Sequence, residues 1–187
     1  MELREYRGER LGSIADFREN SIRGVQEIDL ERYKLVMDGL VERPRSFSYP
    51  ELEQFPRLEK LVTVDCVEGW SVVALWEGIP LKELFGLVRP KPGANTVIFY
   101  SQDGYSTSLP LDYLLAKDII MADRINGLPL PPALGFPFIL VAEEKWGYKW
   151  ARWITRIELS DNPDYRGFWE SRGYSNKGDL DKPMFGE

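Results

Sequence analysis

Histidine is absent from the 187 residues, and cysteine occurs once, as Cys66. Without histidine there is no Ser-His or Cys-His nucleophilic pair, no His-bearing zinc site and no imidazole base for neutral pH. A single cysteine excludes an internal disulfide, so no disulfide framework staples the fold. Long apolar runs are missing too: the longest, residues 136–142, has seven residues, where a bilayer span needs about 20. The opening stretch MELREYRGERLGSIADF mixes charges throughout and has no apolar h-region. That predicts a cytoplasmic protein with neither a signal peptide nor a twin-arginine leader. Positive charge is not in excess either. Lys and Arg number 24 against 30 Asp and Glu, for a net charge of −6, which offers no electrostatic footprint for nucleic acid or an anionic membrane.

What remains is the composition of a folded domain. Apolar residues make up 43% of the chain, with nine Phe, nine Tyr and six Trp to fill a core, which is too apolar for a disordered segment. Polar and apolar residues alternate over 33–39 and 61–66, as they do in half-buried strands. Further strands are expected at Thr96–Ser101, 119–123, 138–142 and 152–159. Ser48 and Glu51 form a capping box with Pro50 in the first turn, predicting a short helix to about residue 54. Pro80 opens a second helix with Leu81, Leu84 and Phe85 on one face. Asp103-Gly104 and Asn126-Gly127 are hairpin-type turn dipeptides. Residues 128–137 carry four prolines and read as a fixed, extended connection. Short strands outnumber short helices without regular β-α-β alternation, which predicts an α+β fold with a large β share. The expected organisation is an N-terminal extension (1–16), one domain (17–160) and a C-terminal tail (161–187). That tail is polar but holds Tyr165, Phe168, Trp169, Tyr174 and Phe185, so it should lie across the body.

Cys66 stands where a strand stops and Gly69 releases the chain into a loop, a usual place for a functional group. The same pattern fits a core cysteine continuing the Val62–Val64 face. As a free nucleophile it is poorly served, because no base is available and the neighbouring Asp65 and Glu68 raise a thiol's pKa. As a ligand to a soft metal it has no such difficulty, since the metal stabilises the thiolate. One cysteine and no histidine cannot cage a metal, so a cofactor would have to bring most of the ligands.

Around that cysteine the sequence reads TVDCVEGWS (63–71) and WEGIPL (76–81), then YSQDGY (100–105), LPL (109–111), NGLPL (126–130), GFP (135–137) and GYK (147–149). In this order, with YKL and DGLV upstream at 33–35 and 38–41, the motifs resemble the sulfite oxidase-like molybdopterin-dependent oxidoreductases over residues 17–175. The resemblance implies that family's molybdopterin-binding fold. It also implies a thiolate from Cys66 on molybdenum (tungsten has the same ligand preferences), with dithiolene sulfurs and oxo groups completing the sphere. By the same likeness Asn20 contacts the pterin, Ser101 lies near the metal, and Lys149, Trp150, Ala151 and Arg152 cradle the phosphate end. Arg18 and Arg23 are alternative phosphate partners. Trp70, Trp76 and Tyr105 are candidates for the substrate mouth, or ordinary core aromatics.

Two positions depart from the family pattern. Leu134 and Ile139 stand where relatives often carry a polar residue and an arginine. The residues after the cysteine include Glu68 rather than basic groups, which disfavours a dianion such as sulfite and leans toward the bacterial reductase branch acting on neutral S-oxides or N-oxides. No haem-attachment motif is present, so electrons would come from a separate protein. Against the oxygen-transfer reading stand two others: a domain that keeps the fold without a cofactor, and a small-molecule binding module.

Overall fold

Two five-stranded sheets share one apolar core, and the candidate cysteine sits at the end of a strand in one of them. The computed structural model describes residues 1–186. Its strands are β1 (Glu5–Tyr6), β2 (Glu9–Arg10), β3 (Lys34–Gly39), β4 (Arg45–Ser48), β5 (Leu58–Asp65), β6 (Ser71–Pro80), β7 (Thr96–Ser101), β8 (Ser106–Pro110), β9 (Ile120–Ile125), β10 (Leu128–Pro129), β11 (Ile139–Leu140) and β12 (Ile154–Ser160). The helices are short: α1 (Tyr49–Leu52), α2 (Leu81–Val88) and α3 (Leu111–Ala116). The fold is α+β, mainly strands.

The first sheet runs β10-β9-β6-β5, with β11 also on β9, all antiparallel. The second runs β4-β3-β12-β7-β8, and only β3 and β12 are parallel within it. Alternation explains the facing: Val62 and Val64 of β5, Leu35 and Met37 of β3, and Ile157 and Leu159 of β12 are all buried. Trp76 of β6 is fully buried, donates its indole N–H to the Val62 carbonyl at 3.1 Å, and meets Phe17 and Trp150 edge-on.

Several elements depart from the sequence expectation. The capping box of Ser48 and Glu51 is formed, but α1 makes one turn and ends at Leu52. Glu53 is its C-cap, and Phe55 leaves the helix to pack edge-on against Phe47. The strand expected at 138–142 pairs only through β11, and β12 begins at Ile154 because Trp153 has φ 48°. The proline-rich stretch is not wholly irregular: it carries β10 and a 3-10 turn, Pro132–Leu134. Asn126 and Gly127 both take positive φ, which joins β9 to β10 in a tight hairpin.

Residues beyond β12 cross the body. Phe168 N–H donates to the Ser106 carbonyl at 3.0 Å, Trp146 N–H to Gly178 at 2.8 Å, and Lys145 pairs with Asp179. Gly167 permits this seat, since a Cβ there would lie 2.1 Å from the Ser106 carbonyl oxygen. The first residues lie against the β6 and β9 edge, where Leu3 N–H donates to Asn126 and Gly12 N–H to Val73. Among the described residues, no helix is long and apolar enough to cross a membrane.

Candidate active site

The tight turn from β5 to β6 places Cys66. Its backbone N–H donates to the Trp70 carbonyl at 2.9 Å, and Gly69 N–H returns a bond to the Cys66 carbonyl at 3.0 Å. The side chain continues the inward face of β5 and is buried. Around its sulfur lie the backbone N–H of Glu68 at 3.5 Å, Asn20 Nδ2 at 3.6 Å and Glu68 Oε1 at 3.5 Å. Burial raises the thiol's pKa, and the Glu68 carboxylate adds to that, against the donated Glu68 N–H and the Arg152 charge. The raised pKa favours the thiol over the thiolate at neutral pH. Among the described residues, no cluster of three or more His, Cys, Asp or Glu side chains could hold a metal ion, so a metal on Cys66 would need ligands supplied by a bound cofactor.

Cys66 opens onto a cavity of about 250 Å³. The floor is made of buried residues, among them Val64, Trp76, Ser101, Asp103, Trp150 and Trp153. The mouth is ringed by exposed Arg18, Asn20 and Glu68 and by half-buried Ser21, Trp70, Trp169 and Tyr174. Among the described residues, three buried polar atoms of wall side chains have no hydrogen-bond partner: Ser21 Oγ, Trp70 Nε1 and Ser101 Oγ. A buried donor left unpaired costs about 1–3 kcal/mol, so these groups point to an acceptor-bearing ligand. Arg152 reaches the same space from the turn before β12. Its guanidinium donates to Asn20 Oδ1 at 2.9 Å and lies 3.8 Å from Glu19.

Of the residues singled out from sequence, Cys66, Asn20, Ser101, Trp150, Arg152, Trp70, Trp76 and Tyr105 line this one cavity. Lys149 and Ala151 lie off it. Lys149 is fully buried, with its ammonium donating to the Ser108 carbonyl at 2.8 Å and pairing with Glu170 at 3.2 Å. Burial pushes its pKa down to about 8, against the pull of Glu170. Ala151 sits in the core and accepts the Leu140 N–H at 2.8 Å. The Trp150 indole donates to the Lys145 carbonyl at 3.2 Å, and the Tyr105 hydroxyl to the Tyr148 carbonyl. Arg18 is on the rim; Arg23 is exposed and off the cavity. Leu134 and Ile139 both line the cavity and add apolar wall to it.

Sequence reasoning missed Asp103, Tyr148, Trp169 and Tyr174. Asp103 read only as a turn residue, and here its carboxylate accepts the Tyr105 N–H at 3.1 Å while lining the floor. The two tail aromatics were visible as aromatics, but nothing local aimed them at Cys66.

Comparison with known proteins fits this geometry. The chain is 34% identical over 152 residues to the uncharacterized oxidoreductase YuiH of Bacillus subtilis (strain 168), covering 81% of this chain and 76% of that protein. It is 29% identical over 145 residues to the protein-methionine-sulfoxide reductase catalytic subunit MsrP of Ralstonia nicotianae, covering 69% of this chain but only 44% of that protein. Among solved structures, the sulfane dehydrogenase SoxCD from Paracoccus pantotrophus has the same fold, with a TM-score of 0.73 at 24% identity over 82% of this chain and 43% of that one. Residues 22–169, which carry Cys66 and most of the cavity wall, match the oxidoreductase molybdopterin binding domain, and the chain belongs to that family of oxidoreductases.

Proposed function

We propose that the cavity binds a molybdenum–molybdopterin cofactor through Cys66 and that the protein reduces a small neutral S-oxide or N-oxide. One observation carries this reading: the only cysteine lines a cavity whose wall residues Ser21, Trp70 and Ser101 carry buried polar atoms with no partner among the described residues. A ligand rich in acceptors, carrying a soft metal, satisfies all four groups at once. When bound, the cofactor supplies a centre that changes by two electrons as an oxygen atom is exchanged. Cys66 holds it as a thiolate. Ser101 and Arg152 bind its polar parts, and Trp150 packs against it. Trp76 and Tyr105, pinned by their own hydrogen bonds, fix the floor.

The balance is simple. The S–O or N–O bond breaks, two electrons arrive from a separate electron-transfer protein, and two protons complete water. The rim supports a neutral substrate, because Glu68 stands beside Cys66 and offsets Arg18 and Arg152. The likeness to a methionine-sulfoxide reductase subunit supports the S-oxide class.

The test is elemental analysis for Mo and W, with pterin fluorescence after oxidation, on wild type and Cys66→Ser. Near-stoichiometric metal in the first and background in the second is expected, along with sulfoxide reduction from a reduced viologen donor. Leu134 and Ile139 on the wall favour a second reading, a domain that keeps the fold without its cofactor. Neither metal nor pterin, from a host that loads a control molybdoenzyme, would establish it.

A further inference from the structure

The match to the family domain ends at Trp169, yet the cavity wall continues past it. Trp169 and Tyr174 both line the cavity, their rings 5.6 Å apart and edge-on. They are half-buried, whereas the floor around Cys66 is buried, so they stand at the mouth. The 3-10 turn Glu170–Arg172 lies between them and carries Glu170, a carboxylate only 1% exposed. That carboxylate accepts from Thr107 Oγ1 at 2.7 Å and pairs with Lys149 at 3.2 Å. Lys149 in turn lies in sequence between Tyr148 and Trp150, which also line the cavity. A surface tail held by exposed contacts would sample many positions. This one is fastened by the fully buried Lys149–Glu170 pair next to the two rings, with the Phe168–Ser106 bond before it and the Tyr148 hydroxyl on the Ser175 carbonyl after it.

We propose that Trp169 and Tyr174 are specificity-determining residues that set the size of molecule reaching Cys66, and that Glu170 is the positioning residue that holds them there. The substrate side of this proposal rests on the oxide-reduction reading. Two fixed aromatic rings admit a slim or flat oxide and exclude one with two bulky substituents. Such a wall discriminates by overlap, so truncating it relaxes selectivity by roughly ten-fold or more.

The experiment compares full-chain wild type with Trp169→Ala and Tyr174→Ala in two ways. The loaded enzyme is assayed with dimethyl, methyl phenyl and diphenyl sulfoxide, and the diphenyl-to-dimethyl ratio of kcat/KM is taken. Metal-free full-length protein is treated with iodoacetamide and with a bulky maleimide, and the ratio of Cys66 alkylation rates is taken. Both ratios are expected to rise about ten-fold in each variant. Glu170→Gln should shift them in the same direction, with Glu170→Asp restoring part of the effect. If wild type reduces no oxide but the alkylation ratio rises, the oxide reading fails and the gate stands. If oxides are reduced and neither ratio moves, the gate is overturned. Loss of bound metal and pterin in Trp169→Ala or Tyr174→Ala also overturns it, because the rings would then hold the cofactor. Should either alanine variant fail to fold by near-UV circular dichroism, Trp169→Leu and Tyr174→Leu make the same comparison.

Discussion

Arg152 donates a 2.9 Å hydrogen bond to Asn20 across 132 residues of sequence. Asn20 then passes its own N–H to Glu68 Oε1 at 2.7 Å and approaches the Cys66 sulfur at 3.6 Å. The segment before β3 is thereby tied over the cavity mouth to the turn before β12. Asn20→Ala removes both bonds and leaves Glu68 without that donor. Its expected cost is about 1–2 kcal/mol, read as a lower urea midpoint with an unchanged slope. A midpoint equal to wild type would show that the tie carries no stability.

Cys66 in the metal-free chain should alkylate slowly at pH 8, because burial and the Glu68 carboxylate raise its pKa. Glu68→Gln removes the opposing charge and keeps the backbone donor. Its alkylation rate at pH 8 should rise several-fold, with the pH–rate curve moved to lower pH. A slower rate would mean that the carboxylate activates the sulfur.

The Lys149–Glu170 pair makes stability depend on alkaline pH. Burial lowers the folded pKa of Lys149 to about 8, below the unfolded value of about 10.4. Between these values the unfolded chain binds more protons at this site, so its contribution to stability rises with pH across that window. Tyr33, Tyr113 and Tyr148 have pKa values raised by burial, and Tyr49 is raised to about 12. Their contribution is present below the unfolded phenol pKa of about 10 and is lost as pH rises through and beyond it. Urea midpoints should therefore climb from pH 8 and turn down above pH 10. Lys149→Met should lack the climb and lose about 3–5 kcal/mol at neutral pH, because Glu170 stays buried without its cation.

Trp76→Ala should cost about 3–5 kcal/mol, since it empties the junction of Phe17, Trp150 and the Val62 carbonyl. Trp76→Phe keeps the ring contacts and loses the indole donor, so it should cost roughly 1–2 kcal/mol. Equal losses in thermal or urea unfolding would assign the residue's worth to its hydrogen bond.

Local chemistry made much of the fold legible. Alternation revealed the strand at 33–39 and the inner face of Val62, Val64 and Cys66, and turn dipeptides marked both Gly104 and Gly127. The limits were set by tertiary pairing. β6 is buried along most of its length, so VVALW shows no alternation to read. β12 starts two residues late because Arg152 and Trp153 serve the cavity rather than the sheet. The site was legible where one sequence motif carries it, around Cys66. It was not legible for Lys149, because only the folded tail brings Glu170 to its ammonium. Nor was it for Tyr174, which reaches the cavity through the turn anchored at Glu170 and through packing against Tyr148 and Phe185.

β12 lies between β3 and β7. The other pairs of that sheet, β3 with β4 and β7 with β8, join strands adjacent in sequence and can form as soon as each hairpin leaves the ribosome. Until β12 follows, they are two separate ribbons, and pairing Gly39 with Leu159 closes most of the chain into a loop. Arg152 and Trp153 arrive with that strand, and Trp169 and Tyr174 follow it, so the cavity wall is complete only after its insertion. A prosthetic group seated in that cavity is therefore enclosed by a domain whose central seam has already closed.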